Sequence, residues 1–135
     1  MKCYILAALD SEGAIPLEQA EGFAVCEMQC PESLVDAANT LTASWRLVET
    51  RNFWCTAESD GGIDSHDSDV FVHRIEPENL VMDKGCFVGV LVPRFKLVLL
   101  FDDPEKNVTV KAKDGFVGGW GKVEEYFSYT LRRSD

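Results

Sequence analysis

Pro31-Glu32-Ser33-Leu34-Val35-Asp36-Ala37-Ala38-Asn39-Thr40-Leu41-Thr42-Ala43-Ser44-Trp45-Arg46-Leu47-Val48-Glu49-Thr50 is the stretch whose reading decides the fold. Its apolar residues Leu34, Ala38, Leu41, Trp45 and Val48 are spaced by four, three, four and three positions. That spacing draws one stripe along an α-helix. Pro31 suits a first helical position, because the amide it lacks would have no partner there. Glu32 and Asp36 put negative charge at the N-terminal end, and Arg46 and Arg51 put positive charge at the other, both favoured by the helix dipole. The stretch predicts one main helix over about 31–50.

On either side of this stretch the apolar period shortens. Cys3–Leu9 and Phe23–Met28 read as strands ahead of the helix, separated by the turn cluster Asp10-Ser11-Glu12-Gly13. Asn52–Thr56 and Val70–Ile75 read as strands behind it, with a polar loop over Glu58–Asp69 and a break at Glu76-Pro77-Glu78-Asn79. Cys86–Val92 and Phe95–Phe101 are strongly apolar runs joined tightly at Pro93-Arg94. Val108, Val110 and Ala112 alternate with Thr109, Lys111 and Lys113, the pattern of a strand with one wet face. Asp114-Gly115 signals a hairpin, and Val123, Phe127, Tyr129 and Leu131 outline a last strand. Together these predict a single α+β domain over 1–135, with the helix stripe lying on an antiparallel, curved sheet of five to seven strands.

Charge is distributed unevenly. Residues 1–73 hold 3 Lys/Arg against 13 Asp/Glu, whereas 74–135 hold 10 of each, so the whole net charge of −10 lies in the first part. Such a chain attracts cationic partners and is repelled by nucleic acid and anionic membrane. No apolar run approaches the roughly 18 residues that cross a bilayer. Cys3–Leu9 is too short for a secretion signal and no small-residue cleavage pattern follows it. The five cysteines, an odd number scattered through apolar segments, suit reduced, packed thiols. A cytoplasmic location is expected. The closest pair, Cys26 and Cys30, has neither redox nor zinc-knuckle spacing.

The polar loop offers the sharpest candidates: Asp60, Asp64, His66, Asp67 and Asp69. As metal ligands they lack the alternate-position pattern of a calcium loop, and one histidine is too few for a usual transition-metal set. No metal or cofactor is expected. His73 shares a strand face with Phe71, but no nucleophile and carboxylate accompany it in sequence to make a general base of it. Cys55 sits beside Trp54, and Cys86 follows Lys84-Gly85, whose lysine is the one suggestive neighbour of the two thiols. The glycine-rich run Gly115–Gly121 lacks the Lys-Ser/Thr ending of a phosphate loop and reads as a hairpin that presents Trp120.

No catalytic residues are assigned. The expectation is a small acidic protein-binding module, an inhibitor such as an immunity protein that neutralises a basic toxin, for example a nuclease. Contact falls to Asp60, Asp64, His66, Asp67 and Asp69, with Trp120 as an aromatic anchor. The alternative is an enzyme or small-ligand-binding protein with a cavity between helix and sheet, an architecture similar to hot-dog and cystatin-like folds.

Overall fold

The structure is a computed structural model that describes the backbone of residues 1–6, 25–56, 63–117 and 121–134, and the side chains of 1–6, 25–55, 66–116 and 121–134. The described residues form nine strands: β1 (Lys2–Leu6), β2 (Val25–Gln29), β3 (Trp45–Thr56), β4 (Ile63–Arg74), β5 (Leu80–Asp83), β6 (Cys86–Val92), β7 (Leu97–Leu100), β8 (Val108–Val117) and β9 (Gly121–Arg133). A 3₁₀ turn, Glu32–Leu34, runs into the helix α1 (Val35–Ser44), and a second 3₁₀ turn covers Pro77–Asn79. The chain divides into two compact units, residues 1–47, 74–106 and 131–135 in one, 48–73 and 107–130 in the other.

The first unit carries a five-stranded sheet in the order β2-β1-β5-β6-β7. Its pairs are antiparallel except for β1 and β5, which run parallel. One face buries Cys3, Cys30 and Met82, with Met28, Leu34, Val35 and Phe87 packed around them. A second cluster is Val81, Leu91 and Val98, ringed by Tyr4, Leu6, Val25, Val88 and Leu100. Leu80 and Val81 are fully buried, and such side chains stabilise a fold by about 1.5–3 kcal/mol each. Lys84 and Gly85 both take positive φ, 52° and 80°, which closes β5 onto β6 in the mirror-image turn that suits twisted strands. Gly89 lies where β6 meets β7, and a Cβ there would collide with the Leu99 carbonyl oxygen.

The helix is shorter than its stripe suggests. It ends at Ser44, and residues 45–50 belong to β3. Its second half, Asn39-Thr40-Leu41-Thr42-Ala43-Ser44, is rich in hydroxyls that bond back to the helix carbonyls. Thr40 Oγ1 donates to Asp36 O at 3.0 Å and Ser44 Oγ to Thr40 O at 2.7 Å, a habit that weakens helices. Arg46 then seals the end, its guanidinium donating to the carbonyls of Ala43 at 3.2 Å and Trp45 at 2.8 Å. Trp45 stays buried, but on the strand, packed between Phe101 and the Arg133 guanidinium. Ala38 is the only buried residue of α1. In the described clusters Leu34 and Val35 join the helical segment to the sheet, and a stripe packed along its whole length is not clearly seen among the described residues.

The second unit is built on a four-stranded sheet, β4-β3-β9-β8. The strands are therefore divided between two sheets of five and four, where the sequence suggested one of five to seven. The polar loop expected over Glu58–Asp69 is a strand from Ile63 onward. Pairing with β3 overrides the weak strand preference of Asp and Ser: Asn52 reaches His66 at 3.3 Å, and Trp54 stacks on the His66 ring at 3.7 Å. The hairpin expected at Asp114-Gly115 is also displaced. β8 runs through it, with Asp114 opposite Glu124 and Gly115 opposite Val123. A bulge between Lys111 and Lys113 absorbs one residue, and the pairing ends with Val117 opposite Gly121. No helix among the described residues is long and apolar enough to cross a membrane.

Candidate functional site

β4 occupies one edge of the four-stranded sheet, and its last residues are unusually exposed for their chemistry. Val70 and Val72 are 62% and 60% exposed and Phe71 is 39% exposed. Just before them stand Asp67 and Asp69, both exposed, with no ion pair among the described residues. Strand alternation puts Asp67, Asp69, Phe71 and His73 on one face and His66, Ser68, Val70, Val72 and Arg74 on the other.

The sequence-derived contact set is thereby split. His66 is exposed but turned to Asn52 and Trp54, on the face opposite Asp67 and Asp69. Asp64 lies in β4 by its backbone, and its side chain is outside the described residues, as are Asp60 and Trp120 altogether. Among the described residues no three His, Cys, Asp or Glu side chains converge as a metal site would require.

The early acidic residues are also divided. Glu27 faces Lys2 at 3.4 Å. Glu32 and Asp36 are exposed in the first turns of the helical segment. Glu49 is buried. Asp67 and Asp69 therefore carry the exposed negative charge of the second unit that precedes His73 in the described side chains.

Glu49 is the centre of a second cluster, which the sequence did not reveal because a helix reading removes it from the strand. On β3 its carboxylate accepts a hydrogen bond from the Tyr129 hydroxyl of β9 at 2.7 Å. His73 Nε2 of β4 lies 3.3 Å from the other oxygen and Arg51 Nε lies 3.6 Å from it. The Arg51 guanidinium sits between the rings of Phe71 and Phe127, 5.1 Å from each centroid. Burial pushes the Glu49 carboxyl upward, but the Tyr129 and His73 hydrogen bonds, with the charges of Arg51 and His73, outweigh it and hold the group below its ordinary value. Both carboxylate oxygens are engaged. The cluster supplies His73 with the orienting carboxylate that a general base needs, and the ring stacked on it is that of Phe71. Its chemistry is that of a satisfied ionic lock across three strands.

The described cleft of the first unit, about 300 Å³, is lined by Thr42, Ala43, Arg46, Arg74, Ile75, Glu76 and Pro77. Arg46 within it is committed to the helix end. The expected cysteine packing holds for Cys3 and Cys30, which are buried, and partly for Cys55. Cys26 and Cys86 are exposed, Cys86 as the first residue of β6 after the Lys84-Gly85 turn. Comparison with known protein families, with curated proteins and with solved structures finds no significant match to this chain.

Proposed function

We propose that this chain is a protein-binding module for a cationic partner, an inhibitor such as an immunity protein acting on a basic toxin. The observation that carries the reading is the composition of the exposed end of β4. Two carboxylates without an ion pair among the described residues, Asp67 and Asp69, stand directly before the exposed apolar run Val70-Phe71-Val72. Carboxylates free of cations speed encounter with a positive surface, and Phe71, on the same strand face as Asp67 and Asp69, then supplies an apolar contact. The net charge of −10 adds a long-range attraction of the same sign.

The test is capture from a lysate of the source cells on immobilised protein, with the Asp67→Asn/Asp69→Asn variant as the paired control. A basic protein retained by the wild type and lost by the variant supports the reading. Retention of acidic proteins only, or equal retention by both, overturns it.

A further inference from the structure

We propose that Cys3, Cys30, Met82 and Met28 hold one monovalent copper ion on one face of the five-stranded sheet. The proposal goes beyond the partner reading and shares no residue with it.

The sheet packs two described clusters of different chemistry. Val81, Leu91 and Val98 form one, and all three side chains are hydrocarbon. The buried members of the other, Cys3, Cys30 and Met82, all carry sulfur, and Met28 packs against them. The chain has five cysteines and three methionines, and half of these residues meet here. The pairing register brings them together. Cys3 stands opposite Met28 in the antiparallel β1–β2 pair, so their side chains share a face. Cys30 follows two positions later and returns to that face, its amide donating to Met1 O at 2.7 Å. On the other side β5 runs parallel to β1 with Met82 opposite Ile5, two positions from Cys3 and on its face. Met82 Sδ is 3.8 Å from Cys3 Sγ. Sulfurs bonded at about 2.3 Å to one tetrahedral ion stand about 3.8 Å apart, so this pair already has the separation of two ligands.

The donor set selects the metal. Thiolates and thioethers are soft, and that class favours monovalent copper over divalent ions held by oxygen. A zinc set of thiolate, imidazole and carboxylate groups is left incomplete: among the described residues no third Cys, His, Asp or Glu joins the two thiols. Binding breaks the two S–H bonds, forms two Cu–S bonds from the thiolates and passes both protons to solvent. The thioethers coordinate through a lone pair, and copper stays monovalent, so the step consumes no oxidant or reductant. Cys3, Cys30 and Met82 are buried, which keeps water away from a soft ion. Met28, half-buried, is the most exposed of the four and marks the way in.

Anaerobic titration of the full chain with the acetonitrile complex of monovalent copper, in competition with a chromophoric copper(I) chelator, tests this. Cys26, Cys55 and Cys86 are first replaced by serine, so that Cys3 and Cys30 are the thiols left. This reference protein is expected to withhold one equivalent of copper. It is also expected to unfold at a higher temperature when loaded, because the site is assembled in the folded chain. Met82→Leu conserves volume and is expected to weaken binding at least about tenfold in that background. Cys3→Ala and Cys30→Ala are expected to abolish it. X-ray absorption of the loaded reference protein is expected to show sulfur neighbours at about 2.3 Å. Circular dichroism reports whether each variant folds, and if an alanine variant does not, Met82→Leu and the absorption spectrum decide. A reference protein that withholds no copper overturns the proposal. So does equal binding by Met82→Leu or by a folded alanine variant, a copper shell of nitrogen or oxygen, or loading that leaves the unfolding midpoint unchanged.

Discussion

Tyr129 and Glu49, 80 residues apart in the chain, meet through a 2.7 Å hydrogen bond from phenol to carboxylate. The bond joins β9 to β3, and His73 of β4 completes the link to the sheet edge. Hydrogen bonds to a buried charge contribute more than neutral ones. Tyr129→Phe is therefore expected to lower stability by about 1.5–3 kcal/mol at neutral pH, measured by denaturant unfolding. The same variant reports on pH. A carboxyl held below its ordinary value in the folded protein contributes stability that is complete above the ordinary range and is lost as pH falls through the lowered value. The gap between wild type and Tyr129→Phe should accordingly narrow in acid. A gap that stays constant down to acid unfolding would show that Glu49 is not the group being stabilised.

Two glycines separate space from conformation. Gly89→Ala drives a Cβ against the Leu99 carbonyl, and the β6–β7 pairing must shift to admit it. The expected cost is about 1–3 kcal/mol, the usual range for overpacking. Gly85→Ala meets no atom within 4 Å and is strained only by its positive φ, so about 1 kcal/mol is expected. Equal unfolding midpoints for the two variants would contradict the close approach at Gly89.

The thiols should sort by exposure. Cys26 and Cys86 are open to solvent, whereas Cys3 and Cys30 are buried, and burial together with Cys30 pushes the Cys3 thiol up. A thiol reagent is expected to label Cys26 and Cys86 first in the native protein and to reach Cys3 and Cys30 only on unfolding. Peptide mapping by mass spectrometry checks the order, and early labelling of Cys3 would contradict the packing of β1 against β5.

Much of the sheet was legible where the local pattern and the final pairing agree. Cys86–Val92 and the alternation from Val108 to Lys113 are strands because their side chains already match a strand's two faces. The helix start was equally plain, since Pro31, Glu32 and Asp36 act locally. Its end was not. Trp45 and Val48 continue a helical spacing, yet both are buried on β3, where neighbours far along the chain decide the outcome. Residues 63–69 failed for the complementary reason: Asp, Ser and His argue for a loop, and β3 recruits them as an edge. The Glu49 cluster inherits the first error. The available signal was the period of two from Trp45 through Leu47, Glu49, Arg51 and Phe53, which competes with the helical stripe over the same residues. Of the contact set, Asp67 and Asp69 share a face by alternation alone, and His66 is turned away by its stacking on Trp54.

Recruitment of a cationic partner by Asp67 and Asp69 is tested most directly by stopped-flow association of the captured basic protein with wild type and Asp67→Asn/Asp69→Asn across a salt series. The wild-type association rate should fall steeply as salt rises. The double variant should be slower at low salt, and the two should converge once screening is complete. Association rates that ignore salt, or that coincide for the two proteins at low salt, would contradict the role given to these carboxylates.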